Sequence, residues 1–356
     1  MPAGNLMLNS CTNRIISLGR LALLLLAIFT RPAWSEELLV LTWEDYIDPE
    51  LVTQFEEQTN SNIRFLYYED DDERDFILAN TEGSGFDLIV FDETMSGPYS
   101  DHGWLLRYPR DELPNLKYVR MPLTDSPLEK EITSVPYSWG SIGILYRKDK
   151  IPSAPTSWMD FFRPEESLRN RILVINTAST TFRMALKALG YSIHSENPEH
   201  IAQARNLMLE QRPYVRAYRN ILFGEDSEIL AGEAWMAMAY NGDAMTIMEN
   251  HPELNFVIPR EGSILWTDSI AILNSSSHKP LAKRFIDFMN NPENNAQNAE
   301  YIQYATPNTA AMSILPKEFM DNPIINPPRS AGLEVDKIPS SDTMRDMIKY
   351  FMELNP

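Results

Sequence analysis

From residue 38 onward, short apolar runs alternate with amphipathic stretches. Residues 38–42, 62–68 and 86–91 are dense in β-branched and large apolar side chains and predict strands. Between them, residues 49–56 carry proline in a first helical turn, and residues 75–79 sit on a second helix. Strands that alternate with helices predict an α/β fold with a largely parallel sheet. In such sheets ligands gather beyond the carboxyl ends of strands. Residues 43–46 and 92–94 both follow strand runs directly.

The pattern lengthens at residues 135–146, an extended run suited to crossing from one lobe to another. Residues 172–175 open a new α/β unit, followed by a helical stretch over 182–189 that closes on Gly190. Residues 234–240 and 256–259 predict further strands, and residues 263–273 a return crossing. Two crossings imply two lobes. Residues 36–138 plus about 265–315 would form a discontinuous lobe one, 139–264 lobe two, and 316–356 a C-terminal segment wrapping both. The proline-rich stretch 323–339 is expected on the surface. A small ligand would bind between the lobes.

The first 35 residues stand apart. Arg14 and Arg20 precede the apolar run 21–29, and Ala33 and Ser35 supply small residues for cleavage. That order predicts a secretory signal peptide, removed after Ser35 to leave Glu36 first. The run is short for a membrane span; an uncleaved N-terminal anchor is the alternative. Cys11 is the only cysteine and precedes the apolar run, whereas a lipidated cysteine would follow it. Its removal would exclude disulfides and thiol chemistry and would fit the periplasm. The roughly 320 residues left are enough to build a core without such staples. Net charge is −19, and the leader holds three arginines and no acid, so the remainder carries −22. That charge repels phosphates and argues against nucleic acid as a partner, while a cationic ligand suits it.

Three segments place an aromatic ring beside a carboxylate. They are Trp43-Glu44-Asp45-Tyr46, Tyr240-Asn241-Gly242-Asp243 and Trp266-Thr267-Asp268, and each follows an apolar strand run. Brought together, they would form a box with aromatic walls and anionic ends. Ring faces attract a cation and carboxylates accept its N–H bonds, so the box suits a protonated amine. The alternative makes the tryptophans core aromatics, Asp243 a turn or cap acid, and Asp92 an N-cap. Asp268 is hardest to explain that way, because a carboxylate buried unpaired in an apolar run costs several kcal/mol.

The acid run 69–73 lacks the spaced ligands and glycine of a calcium loop. It predicts a solvated loop or helix start from which Glu69 would reach the cleft. The histidines have no zinc spacing, and no phosphate loop or nucleophile elbow is present. No metal or cofactor is expected. Paired carboxylate catalysis by Asp243 and Asp268 is the minor enzymatic alternative.

Further stretches carry a resemblance: Phe86-Asp87-Leu88-Ile89-Val90, Val135-Pro136-Tyr137-Ser138-Trp139-Gly140, residues 184–192, residues 264–272, and Tyr304-Ala305-Thr306-Pro307-Asn308. With the three aromatic–acid segments, their order over residues 38 to 315 resembles the periplasmic polyamine-binding proteins. These are the spermidine- and putrescine-binding partners of ABC importers, with polyamine sensors among them. The resemblance implies a two-lobed periplasmic-binding-protein fold of type II that acts as a monomer. Ligand-stacking rings then fall on Trp43, Tyr46, Tyr240, Trp266 and Tyr304. The principal amine-binding carboxylate falls on Asp268, a second on Asp243, and Asp45 matches the acid of the putrescine-binding branch. The chain departs from the family at Thr177 and Thr181, where spermidine binders carry acids, and Arg183 follows. Asp92 and Glu93 stand where the family has small hydroxyls, and Thr94 replaces an aromatic. The implied function is delivery of a di- or triamine to an importer permease. The alternative is a norspermidine- or spermidine-type sensor acting on a membrane receptor that controls biofilm formation.

Overall fold

The computed structural model describes residues 36–354; the leader assigned to residues 1–35, with Cys11, lies outside the described residues. Strands β1 (Glu36–Thr42), β2 (Ser61–Tyr67) and β3 (Leu88–Asp92) pair in parallel in the order β2-β1-β3. Helices α1 (Pro49–Thr59) and α2 (Asp71–Thr81) connect them. Asp48 caps α1 by accepting the Glu50 N–H at 2.8 Å, and Asp70 caps α2 by accepting the Glu73 N–H at 2.8 Å. Each cap contributes about 1 kcal/mol. Leu38, Val40, Leu88 and Val90 are fully buried in one cluster. Each stabilises the sheet by roughly 1.5–3 kcal/mol.

After α3 (Ser96–Asp101) and the short pair β4 (Tyr108–Pro109) and β5 (Glu131–Ile132), the chain enters β6 (Val135–Arg147). This 13-residue strand belongs to both halves of the sheet. Its first part runs antiparallel to β11 (Ile264–Ile272), which is antiparallel to β3. Its second part pairs with β9 (Met236–Tyr240) and β10 (Leu254–Val257). Beyond β9 lie β7 (Ile172–Val174) and β8 (Val215–Tyr218), again in parallel. The sheet is thus parallel in its outer strands and antiparallel where β6 and β11 join the halves.

Helices α4 (Trp158–Phe162), α5 (Ala178–Ala188), α6 (Pro198–Gln211) and α7 (Asn241–Met248) accompany the second half. Helices α8 (Lys279–Met289) and α9 (Pro292–Ile302) return to the first, where Phe285 meets Phe55 at 5.1 Å. The C-terminal segment holds α10 (Lys317–Met320), β12 (Glu334–Val335) and α11 (Ser341–Leu354). It does more than cover the surface, because β12 pairs with β11 at Ile264 and Leu265. Two residues carry no hydrophobic period, which is why the sequence pattern does not announce β12. Among the described residues no helix is long and apolar enough to cross a membrane.

Candidate functional site

Asp268 lies in the middle of β11, at a register shift against β6 between Asp268 and Ser269. Such a bulge re-aims a side chain. Asp268 is half-buried where every other residue of β11 is buried. The Tyr46 hydroxyl donates to Asp268 Oδ2 at 2.7 Å and lies 2.6 Å from Ser138 Oγ. Ser138 faces Asp268 across the β6–β11 pair, so tyrosine, serine and carboxylate close a compact group. The Tyr46 loop is pinned from behind. Tyr137 OH donates to the Tyr46 carbonyl at 2.9 Å, and Asn298 bonds both Tyr137 OH and the Asp48 N–H.

On its other side Asp268 faces Asp92 of β3. Like charges directly opposite across strands repel. Burial pushes the Asp268 carboxyl up to about 7, opposed by the Tyr46 hydroxyl and reinforced by the charges of Asp92 and Asp71. Burial also raises Asp92, with Asp71 adding to it. Asp92 Oδ1 accepts the Thr94 N–H at 2.8 Å, so the N-cap alternative holds for it as a local role. Burial likewise raises Glu93, which accepts from Ser134 Oγ at 3.0 Å.

The second acid is built differently. Tyr240 ends β9 and Asp243 lies in the first turn of α7, where a helix favours negative charge. Tyr304 OH donates to Asp243 Oδ1 at 2.6 Å and accepts the Asp243 N–H at 3.3 Å. Burial pushes Asp243 up to about 6, with the Tyr304 bond offsetting part of it. Four rings join the two acids. Trp266 meets Tyr304 edge-on at 4.9 Å and Tyr240 at 5.8 Å, and Tyr304 lies 6.1 Å from Tyr46. Two glycines permit this packing. A Cβ on Gly140 would stand 2.4 Å from Trp266 Cζ2, and one on Gly242 would stand 2.4 Å from Tyr304 Cε1. Between them, Asn241 Oδ1 accepts the Ser141 N–H at 2.9 Å and fixes α7 against β6.

Tyr46, Tyr240, Trp266 and Tyr304 therefore form one contiguous wall, with Asp268 and Asp243 on it. Trp43 is half-buried and stands further out, its ring 4.4 Å from Tyr68. Asp45 is exposed with φ 55°, and its charge is felt by the Tyr67 and Tyr301 hydroxyls rather than by the four rings. Adjacency to Trp43 in sequence does not carry it into the box.

Glu69 is exposed, its N–H bonded to Glu73 Oε2. The acid of that run whose charge reaches the site is Asp71, which acts on Asp268, Asp92 and Tyr240. Asp71 Oδ1 accepts from Arg74 Nη1 at 2.5 Å. Arg74 is 1% exposed and also donates to Asp75 and to Tyr99 OH. Neither Asp71 nor Arg74 stands out from sequence reasoning; a single arginine directly after the five acids of residues 69–73 is the available sign. Thr181 donates to the Ile175 carbonyl at 2.9 Å and is committed to the backbone. Arg183 is buried and donates to the Asp336 carboxylate and the Lys337 carbonyl, so the C-terminal segment takes up its charge. Among the described residues no cluster of histidine, cysteine and acids could hold a metal ion.

Comparison with known proteins identifies the family and the fold. The bacterial extracellular solute-binding protein family matches residues 50–327. The spermidine/putrescine-binding periplasmic protein of Salmonella typhimurium is 29% identical over 295 residues, 82% of this chain and 84% of that protein. The norspermidine sensor of Vibrio cholerae is 28% identical over 307 residues, 85% of this chain and 83% of that one. The structure of a spermidine/putrescine ABC transporter substrate-binding protein from Streptococcus pneumoniae matches with a TM-score of 0.76 at 27% identity, covering 90% of this chain and 99% of that one. The fold is that of the two-lobed periplasmic binding proteins, and the chain belongs to the bacterial extracellular solute-binding proteins.

Proposed function

We propose that this solute-binding protein captures a di- or triamine between its two lobes in the periplasm and presents it to a membrane ABC importer without transforming it. One observation carries the reading. Asp268 and Asp243 are enclosed among four aromatic rings, and the side-chain bonds that reach them come from tyrosine hydroxyls, not from a basic side chain. Two enclosed carboxylates without a cation are costly in the free protein and become favourable when ammonium groups arrive. The ring faces would cover the methylene linkers and add cation–π attraction. Trp43 would extend the aromatic wall, and Asp92 would share the ammonium held by Asp268.

The test is a thermal-shift panel of putrescine, cadaverine, spermidine and norspermidine on the purified protein. The reading expects a saturable rise in Tm with at least one amine. An unchanged Tm for all four at millimolar amine would remove it.

A second reading makes the same cleft a sensor signalling to a membrane receptor. It draws on the crowding of acids onto the first half of the sheet, at Asp71, Asp92 and Asp268, while Thr177 and Thr181 are uncharged. That shift implies a ligand pose of its own. Pull-down of the amine-loaded protein from its own membranes separates the two: recovery of a transporter permease supports delivery, and recovery of a signalling receptor supports sensing.

A further inference from the structure

The hydrogen bond from Tyr304 to Asp243 joins the two halves of the molecule. Tyr304 follows α9, which packs on the first half of the sheet, and Asp243 lies on α7, which accompanies the second. A second tie between the halves involves the same two stretches of chain. Phe319 and Ile325 of the C-terminal segment are buried in one cluster with Ala296 and Ala299 of α9, Ala305 and Ala311. Ala305 directly follows Tyr304, and Met245 of α7 packs against the same cluster. Ile324 packs instead against the cluster that holds Ala239 of β9 and Ala244 and Ile247 of α7. Successive residues of the C-terminal segment therefore touch both halves.

Asn241 connects this tie to the site. It is fully buried and uses both ends of its amide. Oδ1 accepts the Ser141 N–H at 2.9 Å, and Nδ2 donates to the Ile324 carbonyl at 2.8 Å. Ser141 is where β6 changes partner: it pairs with Leu265 of β11, whereas Ile142 pairs with Tyr240 of β9. Asn241 thus clamps the changeover point of the crossing strand to the C-terminal segment, two residues before Asp243. The residue between them, Gly242, lies against the Tyr304 ring. To move α7 away from that ring, the protein would have to break these bonds and leave a buried donor or acceptor unpaired, which is costly.

We propose that residues 317–326 form a third tie between the lobes, besides β6 and β11, and that Asn241 is the positioning residue through which this tie holds Asp243 and Tyr304 in register for the ligand. This rests on the polyamine reading above. With the tie intact, the second acid stands in place before the amine arrives. With it broken, binding must first re-order α7, and affinity falls by that amount.

Titration calorimetry of spermidine and putrescine tests the assignment. The proteins are wild type, Asn241→Ala, Phe319→Ala, Asp243→Asn, and each alanine variant combined with Asp243→Asn. Phe319→Ala loosens the tie from the α9 side and leaves the Asn241 side chain and its partners present. Asn241→Ala and Phe319→Ala should each weaken both amines by about fivefold or more. Combined with Asp243→Asn, either change should cost less than about twofold further, because the carboxylate that it positions is gone. A role limited to stability would lower the Tm of the free protein and leave affinity unchanged, or would weaken binding by the same factor with and without the Asp243 carboxylate. Either result overturns the proposal, as does a loss confined to Asn241→Ala, while the polyamine reading stands. Should an alanine variant fail to fold, Asn241→Ser or Phe319→Leu is titrated in its place with the same expectation. Absence of binding by wild type would instead remove the polyamine reading itself.

Discussion

The two enclosed carboxylates make opposite use of their surroundings. Asp268 comes from mid-strand, at a register shift, with Asp92 directly across the pair. Burial, and after it the charges of Asp92 and Asp71, push it toward the neutral form, up to about 7. Asp243 comes from the first turn of a helix, with a single tyrosine bonded to it and no acid among the causes of its shift, and it rises only to about 6. Both therefore store unfavourable energy in the free protein, but Asp268 stores more. An ammonium that relieves repulsion as well as desolvation gains more than one that relieves desolvation alone. The difference teaches that Asp268 should dominate affinity and Asp243 should act mainly as the second point of a ruler.

The strongest break of that comparison is Asp268→Asn. We expect affinity for every amine to fall by about 100-fold or more, the range for truncating one partner of a desolvated charge pair. Asp243→Asn should cost about tenfold. Calorimetric titration measures both, and the ranking fails if Asp243→Asn is the more damaging. The free Asp268→Asn protein should be no less stable than wild type, because a repelled carboxylate has been removed.

Gly242→Ala attacks the wall that the two ends share. Its new methyl would stand 2.4 Å from the Tyr304 ring. We expect about 1–3 kcal/mol of destabilisation, the usual cost of overpacking, measured by denaturant unfolding. A variant as stable as wild type would mean that α7 is free to back away from Tyr304.

Acidity sharpens the comparison further. Both carboxyls titrate higher in the folded protein than in the unfolded chain, so the native form binds more protons between about pH 4 and 7. These groups therefore make the free protein less stable as pH rises through that window. Amine affinity should move the other way, rising from pH 5 to pH 8 as Asp243 and then Asp268 ionise. Tm scans with and without amine at pH 5.5 and 7.5 check both directions; an amine-induced shift larger at pH 5.5 would contradict the account.

The smallest effect is expected at Asp45. It is exposed, so Asp45→Asn should change affinity by less than about twofold. A tenfold loss would show that the loop after β1 turns inward when ligand binds.

Much of this arrangement is legible in the chain. A single acid inside the apolar run 264–272 marks Asp268, and the strand–helix alternation places Asp92 and Asp243 at strand ends. Glycines at 140 and 242 sit in recognisable motifs, but the rings they accommodate, Trp266 and Tyr304, come from other segments of the chain. What stays hidden depends on tertiary placement. Asp45 follows Trp43 in sequence, but a left-handed turn at φ 55° decides which way its side chain leaves the strand. Asp71 looks like any helix-start acid until Arg74 is seen to be buried. Arg183 reads as an unwelcome charge until Asp336 meets it from just beyond a two-residue strand that no periodicity reveals.

The most direct test of the central claim counts protons. Spermidine binding should force Asp268 and Asp243 to ionise together. At pH 6.5, with carboxyls near 7 and 6 in the free protein, about one proton should leave the protein per amine bound. Titration calorimetry in buffers of different ionisation enthalpy measures that number. The account predicts a release near one proton that shrinks sharply in Asp268→Asn. Binding with no proton release, or a release that Asp268→Asn leaves unchanged, would contradict it.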